Sequence, residues 1–443
     1  MRVPTSLQQE TWLRSLSTGG RLRAMPALLQ VEGEFDLARF RAAVASMTAA
    51  HDTLRSTFQP EEPLWSEVAE PGETSTDVLE LDAGEDPSVW VRVREYMTQP
   101  FPLDEPRRVR TVIARTAPDT YMLGLAADHL AMDGLSLRLL ARDLLSRYFA
   151  LEPGSNRKMP KAYSYASFAT RQRDLLATEW GTQRREFWFG HFDRWGPNQP
   201  GSPLAVPPAD GSGPSADQTM VLQAALGPQT IRTLDDMALR VGSTRFGVLS
   251  AAISRTQLLS SDRKSAGVVC DFHGRVLPLT WSTLGLFSHG LSLFLGREEA
   301  GDLHEAVRLL TGRLDDARRL GIPLRPMAGQ WLAERGEQHR YGEPHYIYLG
   351  VRPRLKRYLP DDSKLRAVPV DVGQVINQAL GYFSLLLGGT TESPMLQGRF
   401  DGGLFPTATI ESFIHETFAS LGPVPDLEIT TVPRAAAPAP APA

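Results

Sequence analysis

The segment best suited to chemistry is Ala126-Ala127-Asp128-His129-Leu130-Ala131-Met132-Asp133-Gly134-Leu135-Ser136, where an apolar strand runs out into an amphipathic helix. Imidazole exchanges a proton near neutral pH more readily than any other side chain, which makes His129 a candidate base. Four residues later, Asp133 followed by Gly134 can turn the chain and anchor the loop. A strand end feeding a loop is a usual place for such a group. Neighbouring side chains on a strand end point to opposite sides, so Asp128 is not expected to reach the atom that His129 reaches.

Other chemistry finds little support. The single cysteine, Cys270, lies in the apolar run Gly267-Val268-Val269-Cys270, which reads as core and excludes an intrachain disulfide and any cysteine-based metal site. His304, His339, His345 and His415 show no ligand spacing, so no metal is expected. Leu387-Gly388-Gly389-Thr390-Thr391-Glu392-Ser393 has the look of a phosphopantetheine attachment site but reads as a hairpin turn. Arg313 to Arg319 reads as a solvated helix face. Trp12, Tyr163 and Tyr165 read as packing residues. With 47 Lys+Arg against 51 Asp+Glu and a net charge of −4, the chain has no polybasic field for nucleic acid or anionic lipid.

The 443 residues are 42% hydrophobic and 22% charged, the composition of a folded globular chain of two or three domains. Neither a signal region nor a membrane-length apolar run is visible, so a cytoplasmic protein is expected. A short helix starts at Thr5-Ser6 and stops by Gly19-Gly20. Met25 to Val31 reads as a strand, and Leu37, Phe40, Ala43, Val44 and Met47 mark an amphipathic helix over Asp36 to Ala50. Leu54 to Phe58 and Trp65 to Val68 read as short strands and Ser88 to Met97 as a helix. Arg108 to Arg115 and Tyr121 to Ala127 form a hairpin around Ala117-Pro118-Asp119, and a helix follows from Leu135 to about Phe149.

A Pro/Gly/Ser/Asn-rich stretch, Trp195 to Pro214, follows the expected lobe boundary. The second half predicts strands at Met220 to Ala225, Ala266 to Phe272, Leu291 to Leu295, Tyr346 to Gly350, Tyr382 to Leu387 and Met395 to Phe400. Helices are expected over Pro228 to Arg240, Arg245 to Leu259, Leu303 to Arg319, Met327 to Arg335 and Ala408 to Ser420. Without regular βαβ alternation the fold class is α+β, in two lobes. The boundaries are an N-terminal lobe 1–178, a C-terminal lobe 179–430 and a disordered Ala/Pro tail 431–443.

Asp128-His129-Leu130-Ala131-Met132-Asp133-Gly134 resembles the His-His-x-x-x-Asp-Gly motif of nonribosomal peptide synthetase condensation domains and the wider chloramphenicol acetyltransferase-like acyltransferases. Further segments resemble the same family in order along the chain: Ser6-Leu7-Gln8-Gln9, His51-Asp52-Thr53-Leu54-Arg55-Ser56-Thr57-Phe58, Tyr163-Ser164-Tyr165-Ala166-Ser167-Phe168, Gly274-Arg275 with Leu284-Gly285-Leu286-Phe287, and Phe400-Asp401-Gly402-Gly403-Leu404-Phe405. The resemblance implies a V-shaped pair of chloramphenicol acetyltransferase-like lobes with a tunnel between them. A carrier protein's phosphopantetheine thioester would enter one face and an amine or hydroxyl acceptor the other. No permanently bound cofactor is implied.

In that frame His129 takes the acceptor's proton or orients the nucleophile, and the Gly134 N–H is a candidate donor to the oxyanion. Asp133 points away from substrate and pairs with Arg275. Three departures stand out. Asp128 replaces the first histidine of the motif, as a structural residue. His289 stands where the family has Asn and Phe294 where an Arg often follows, which alters the tunnel floor. His289, Ser136 and Ser288 are the expected substrate contacts, with Gly285 and Gly290 letting their backbone approach the other lobe. No adenylation module flanks the domain, so a freestanding, monomeric acyltransferase acting with an acyl or peptidyl carrier protein is expected. The alternative is a catalytically silent condensation-like domain that recruits carrier proteins or tailoring enzymes. Epimerisation would need a second-lobe glutamate that the sequence does not reveal.

Overall fold

Pro118-Asp119 turns the chain between two apolar runs, and Asp119 takes the left-handed backbone (φ 54°) that this turn requires. In the computed structural model, which describes residues 1–16, 24–82, 84, 88–159, 162–196, 219–276, 278–337, 347–351, 365–370, 383–389, 394–403, 405–422 and 427–433, this hairpin is the centre of the first lobe. The chain order begins β1 (Arg2–Pro4), α1 (Leu7–Leu16), β2 (Ala24–Glu32), α2 (Leu37–Ala50), β3 (Ser56–Gln59), β4 (Trp65–Val68), β5 (Val78–Asp82) and α3 (Ser88–Thr98). There follow β6 (Val109–Ala117), β7 (Thr120–Asp128), α4 (Gly134–Ala150), α5 (Tyr165–Leu176) and α6 (Glu179–Trp195). The second half continues with β8 (Thr219–Leu226), α7 (Pro228–Val241), α8 (Arg245–Leu259), β9 (Ser265–Phe272), β10 (His289–Gly296), α9 (Leu303–Leu320) and α10 (Leu324–Ala333). It closes with β11 (Ile347–Val351), β12 (Arg366–Val370), β13 (Phe383–Gly389), β14 (Pro394–Asp401), α11 (Thr407–Ala419) and β15 (Leu427–Pro433).

The first lobe is a five-stranded sheet in the order β12-β2-β7-β6-β5. Helices α2 and α4 bury one face of it through Phe40, Met47, Leu140 and Leu144 against Leu123 and Leu125, while α3 buries the other through Val93 and Met97 against Met122 and Ala126. Strand β7 is therefore buried on both sides, which explains its unbroken apolar sequence. The second lobe is a seven-stranded sheet, β10-β9-β11-β13-β14-β8-β15, with α8, α9 and α11 in its core.

The expected lobe limits need two corrections. Strand β12, from the C-terminal half, pairs antiparallel with β2 and so belongs to the first lobe's sheet. Leu7 of α1 conversely packs into the second lobe's core beside Trp188 and Phe192 of α6. The two halves thus interlock, and the tail begins later than expected: Thr431, Val432 and Pro433 pair with Leu222, Val221 and Met220. The strand expected from Leu54 starts at Ser56, because Asp52–Arg55 forms a 3-10 turn. His339 and His345, most of the Trp195–Pro214 stretch, Thr390–Ser393, Leu404 and the final Ala/Pro residues lie outside the described residues.

Candidate active site

Asp133 caps α4 from extended backbone (φ −98°, ψ 174°), its Oδ1 accepting the Ser136 N–H at 2.7 Å. The same carboxylate reaches across to the second lobe. Oδ2 accepts the N–H groups of Phe287 (3.0 Å) and Ser288 (3.2 Å), and Arg275 Nη2 sits 3.3 Å from Oδ1. Arg275 is buried. Its Nη1 donates to the carbonyls of Thr280 and Thr283, and its guanidinium lies 4.1 Å from the Phe287 ring centroid. The Asp133 N–H donates to the Gly285 carbonyl at 3.1 Å. The motif loop and the 285–288 segment are accordingly one hydrogen-bonded unit joining both lobes.

Ser136 belongs to that unit and not to a substrate surface. Its hydroxyl donates to the Gly285 carbonyl (2.7 Å) and accepts from the Gly285 N–H (3.0 Å) and from Arg275 Nη2 (2.6 Å), with the residue 0% exposed. The expectation that Ser136 touches substrate is corrected on that ground, since every hydrogen-bonding position of the hydroxyl is occupied. Gly285 is where a side chain cannot fit: a Cβ there would stand 1.9 Å from Tyr165 Cδ2. Gly290 makes no comparable approach, its nearest neighbour being Val269 of its own lobe.

The opening helix and the 51–58 segment brace the loop from below. Thr53 Oγ1 donates to the Ala131 carbonyl (2.7 Å) and Gln9 Nε2 to the Leu130 carbonyl (3.4 Å). Gln8 Nε2 donates to the Phe287 carbonyl (3.0 Å), while Gln172 ties α5 to Gln8 and to the Leu7 N–H. The Tyr165 hydroxyl donates to the Leu286 carbonyl (2.5 Å) and meets Ser6 Oγ at 2.8 Å. Burial pushes that phenol well above its usual range.

His129 stands at the apex of this scaffold, partly exposed, with the Trp12 ring 4.8 Å away and tilted 36°. Its Nδ1 is buried without a hydrogen-bond partner among the described residues, so packing against Trp12, not a carboxylate, sets the plane of the ring. Asp128 faces elsewhere, paired with Arg108 at 2.7 Å. Gly134 is exposed at the first turn of α4, where backbone N–H groups have no intrahelical acceptor. A Cβ at Gly134 would meet nothing within 4 Å, so there is open space beside its Cα.

Ser288 and His289 lead into β10, next to the Asp133 clamp. His289 is partly exposed, yet its Nε2 is buried and has no partner among the described residues, and its Nδ1 lies 3.3 Å from the Phe287 carbonyl. Burial pushes its imidazole down to about 4, so it is neutral at physiological pH. Among the described residues no hydrogen bond or ring contact joins His129 to His289. Phe294 is buried against the rings of His191 (5.6 Å) and Trp195 (6.3 Å). Cys270 is buried as expected, its thiol pushed up to about 12 by burial, which removes it as a nucleophile. Among the described residues no group of His, Cys, Asp and Glu could hold a metal, and no helix is long and apolar enough to cross a membrane.

Sequence reasoning missed Arg108, Gln8, Gln172, His191 and His273, whose Nδ1 accepts the Arg275 N–H at 3.0 Å. For Arg108 a signal existed. The hairpin register pairs Val109 with Ala127, which places Arg108 opposite Asp128.

Comparison with known proteins decides the family. Residues 3–340 match the family described as Condensation domain. This chain belongs to the condensation-domain family. It is 25% identical over 284 residues to tyrocidine synthase 3 of Brevibacillus parabrevis, covering 63% of this chain and 4% of the synthase. A second relative, the phosphinothricin tripeptide synthetase PhsC of Streptomyces viridochromogenes, is 25% identical over 76% of this chain and 32% of its own length. The chain thus spans a small part of the synthetases it matches. Among solved structures, the X-domain from teicoplanin biosynthesis aligns with a TM-score of 0.80 at 18% identity, over 97% of this chain and 98% of that one. The first condensation domain of the calcium-dependent antibiotic synthetase, in complex with a substrate analogue, aligns with a TM-score of 0.73 at 16% identity, over 97% and 99%. The condensation-domain fold, two α+β lobes of the chloramphenicol acetyltransferase type, is established.

Proposed function

We propose that this condensation domain is an acyltransferase that joins a carrier-bound acyl group to an amine or hydroxyl acceptor. The observation that carries the reading is the Asp133–Arg275 clamp, which fixes one loop bearing both a partly exposed histidine and an exposed glycine at the first turn of α4. The donor is the thioester on the phosphopantetheine arm of a carrier protein, and it is a substrate, not a resident cofactor. The acceptor's nitrogen or oxygen attacks the thioester carbonyl and a C–N or C–O bond forms. Negative charge gathers on the carbonyl oxygen, where the Gly134 N–H donates to it. His129 receives the proton the acceptor loses; the C–S bond then breaks and the proton passes to the departing thiolate. Asp133 and Arg275 keep the loop in shape without touching substrate. Ser288 and His289 line the acceptor or pantetheine path from the second lobe.

His129→Ala tests this reading. The variant should fold as the wild type does, because the buried Nδ1 has no hydrogen-bond partner among the described residues, and should lose about 100- to 10,000-fold in turnover. Wild-type turnover in the variant would refute it. The second reading, a recruiting domain, draws on Asp128 standing where the motif has histidine, and on the X-domain of teicoplanin biosynthesis, a domain of this fold found in complex with OxyB. It predicts carrier or enzyme binding by the wild type with no acyl off-loading.

A further inference from the structure

We propose that the buried Arg108–Asp128 pair is the positioning device for His129, and that placing histidine at position 128 impairs this domain instead of improving it. The inference rests on the reading of His129 as the proton acceptor, and it concerns residues that do not themselves touch substrate. Asp128 ends β7 and Arg108 directly precedes β6, so the two lie side by side on neighbouring antiparallel strands. Their side chains are 1% and 0% exposed and meet at 2.7 Å. Arg108 Nη2 also donates to the carbonyls of Pro102 and Glu105, which ties the segment before β6 to the same point.

Asp128 holds the chain on both sides of His129. Its Oδ1 accepts the Leu130 N–H at 2.9 Å, and its own N–H donates to the Arg108 carbonyl at 3.0 Å. Its carbonyl accepts from Ala131 (3.0 Å) and Met132 (3.1 Å). Oδ1 and the carbonyl of Asp128 therefore fix the turn that carries His129, while Oδ2 and the N–H tie that turn to Arg108. The carboxylate does this in a place without solvent, with the Arg108 guanidinium lying against it. Histidine at 128 offers Arg108 no counter-charge and leaves a buried cation unpaired. It also has no second oxygen for the Leu130 N–H. Aspartate at this position is thus matched to Arg108, and the exchange of histidine for aspartate is compatible with catalysis.

The test uses the full chain with Asp128→His, Arg108→Met, Asp128→Asn and the double variant Arg108→Met/Asp128→Asn, the last of which removes both charges together. Each is checked for folding by melting temperature, assayed for acyl transfer, and examined by NMR of labelled histidine rings, with His129→Ala assigning the His129 signal. Positioning predicts a fall in kcat of about tenfold to hundredfold in Asp128→His and Arg108→Met with KM little changed. It also predicts a displaced His129 ring signal and partial recovery of both in the double variant. If either single variant fails to fold, Asp128→Asn, which keeps the size and the acceptor for Leu130, still carries the ring-signal readout. A folded Asp128→His with wild-type kcat and an unmoved His129 signal would overturn the proposal. Should His129→Ala itself retain turnover, the acyl-transfer reading fails, while the ring signal still decides whether Asp128 positions His129.

Discussion

Asp133→Ala is the perturbation whose consequences can be worked furthest from the geometry. The carboxylate, 2% exposed, accepts N–H bonds from Ser136, Phe287 and Ser288 and faces the buried Arg275 guanidinium. Removing it leaves Arg275 without that counter-charge, three amides without acceptors and α4 without its cap. Breaking a buried ion pair on one side costs roughly 3 to 5 kcal/mol, and a lost cap about 1 kcal/mol. Arg275 keeps its bonds to Ser136 and to the Thr280 and Thr283 carbonyls, which holds the sum near the lower end, about 4 kcal/mol. With an unfolding entropy of about 2.1 cal/mol/K per residue, that is a fall in Tm of about 4 °C if the 443 residues unfold together, and about 8 to 11 °C if one lobe unfolds alone. Differential scanning calorimetry of Asp133→Ala, Arg275→Met and the double variant measures both the loss and the coupling. The double variant should be more stable than the sum of the single losses implies, by about 1 to 3 kcal/mol. Additive effects, with coupling below about 0.5 kcal/mol, would show that the clamp does not hold the lobes together.

Gly134→Ala should leave stability unchanged or raised by up to about 1 kcal/mol, since the methyl meets no atom, yet lower kcat/KM because the proposed acyl transfer brings the thioester to that residue; full activity would remove Gly134 from the reaction. Gly285→Ala should cost at least about 1 to 3 kcal/mol and disturb activity, because its backbone is fixed to Ser136 and its Cβ would enter the Tyr165 ring; an unchanged denaturant midpoint would contradict that packing. Acid stability has a defined window. Burial holds His289 at about 4, and burial with nearby Arg313 holds His191 at about 4, whereas unfolded histidine takes up its proton near 6.5. The unfolded chain binds more protons in between, so stability falls as pH drops from about 6.5 to about 4, a slope that His289→Asn and His191→Asn should each reduce in urea titrations across pH. Asp143 acts in a separate window: burial opposes its ionisation, but hydrogen bonds from His51 and Arg147 lower it overall, so its contribution is lost only below about pH 4.

Much of this was legible because local signals agreed. The spacing of Phe40, Ala43, Val44 and Met47 marked α2, and the turn at Pro118-Asp119 marked the hairpin that delivers His129. The ion pair between Asp133 and Arg275, 142 positions apart, was reached through family resemblance and not through periodicity. What escaped was non-local. Strand β12 is short, carries Pro369 and gains its identity only by pairing with β2 of the other half. Helix α6 contains Gly181 and Gly190 and a crowd of aromatics, so its propensity is weak and burial of Trp188 and Phe192 stabilises it. Ser136 looked like a substrate contact because it follows the motif; three-dimensional packing alone shows its hydroxyl shared between Gly285 and Arg275.

The central claim, acyl transfer dependent on His129, is tested most directly by intact-protein mass spectrometry of an acyl-loaded carrier protein incubated with a panel of amine and alcohol acceptors and either the wild-type domain or His129→Ala. The wild type should strip the acyl mass from the carrier with at least one acceptor, with the matching amide or ester appearing, whereas His129→Ala should leave the carrier loaded over the same time. Off-loading by His129→Ala at the wild-type rate, or a wild type that binds the loaded carrier and releases it unchanged with every acceptor, would contradict it.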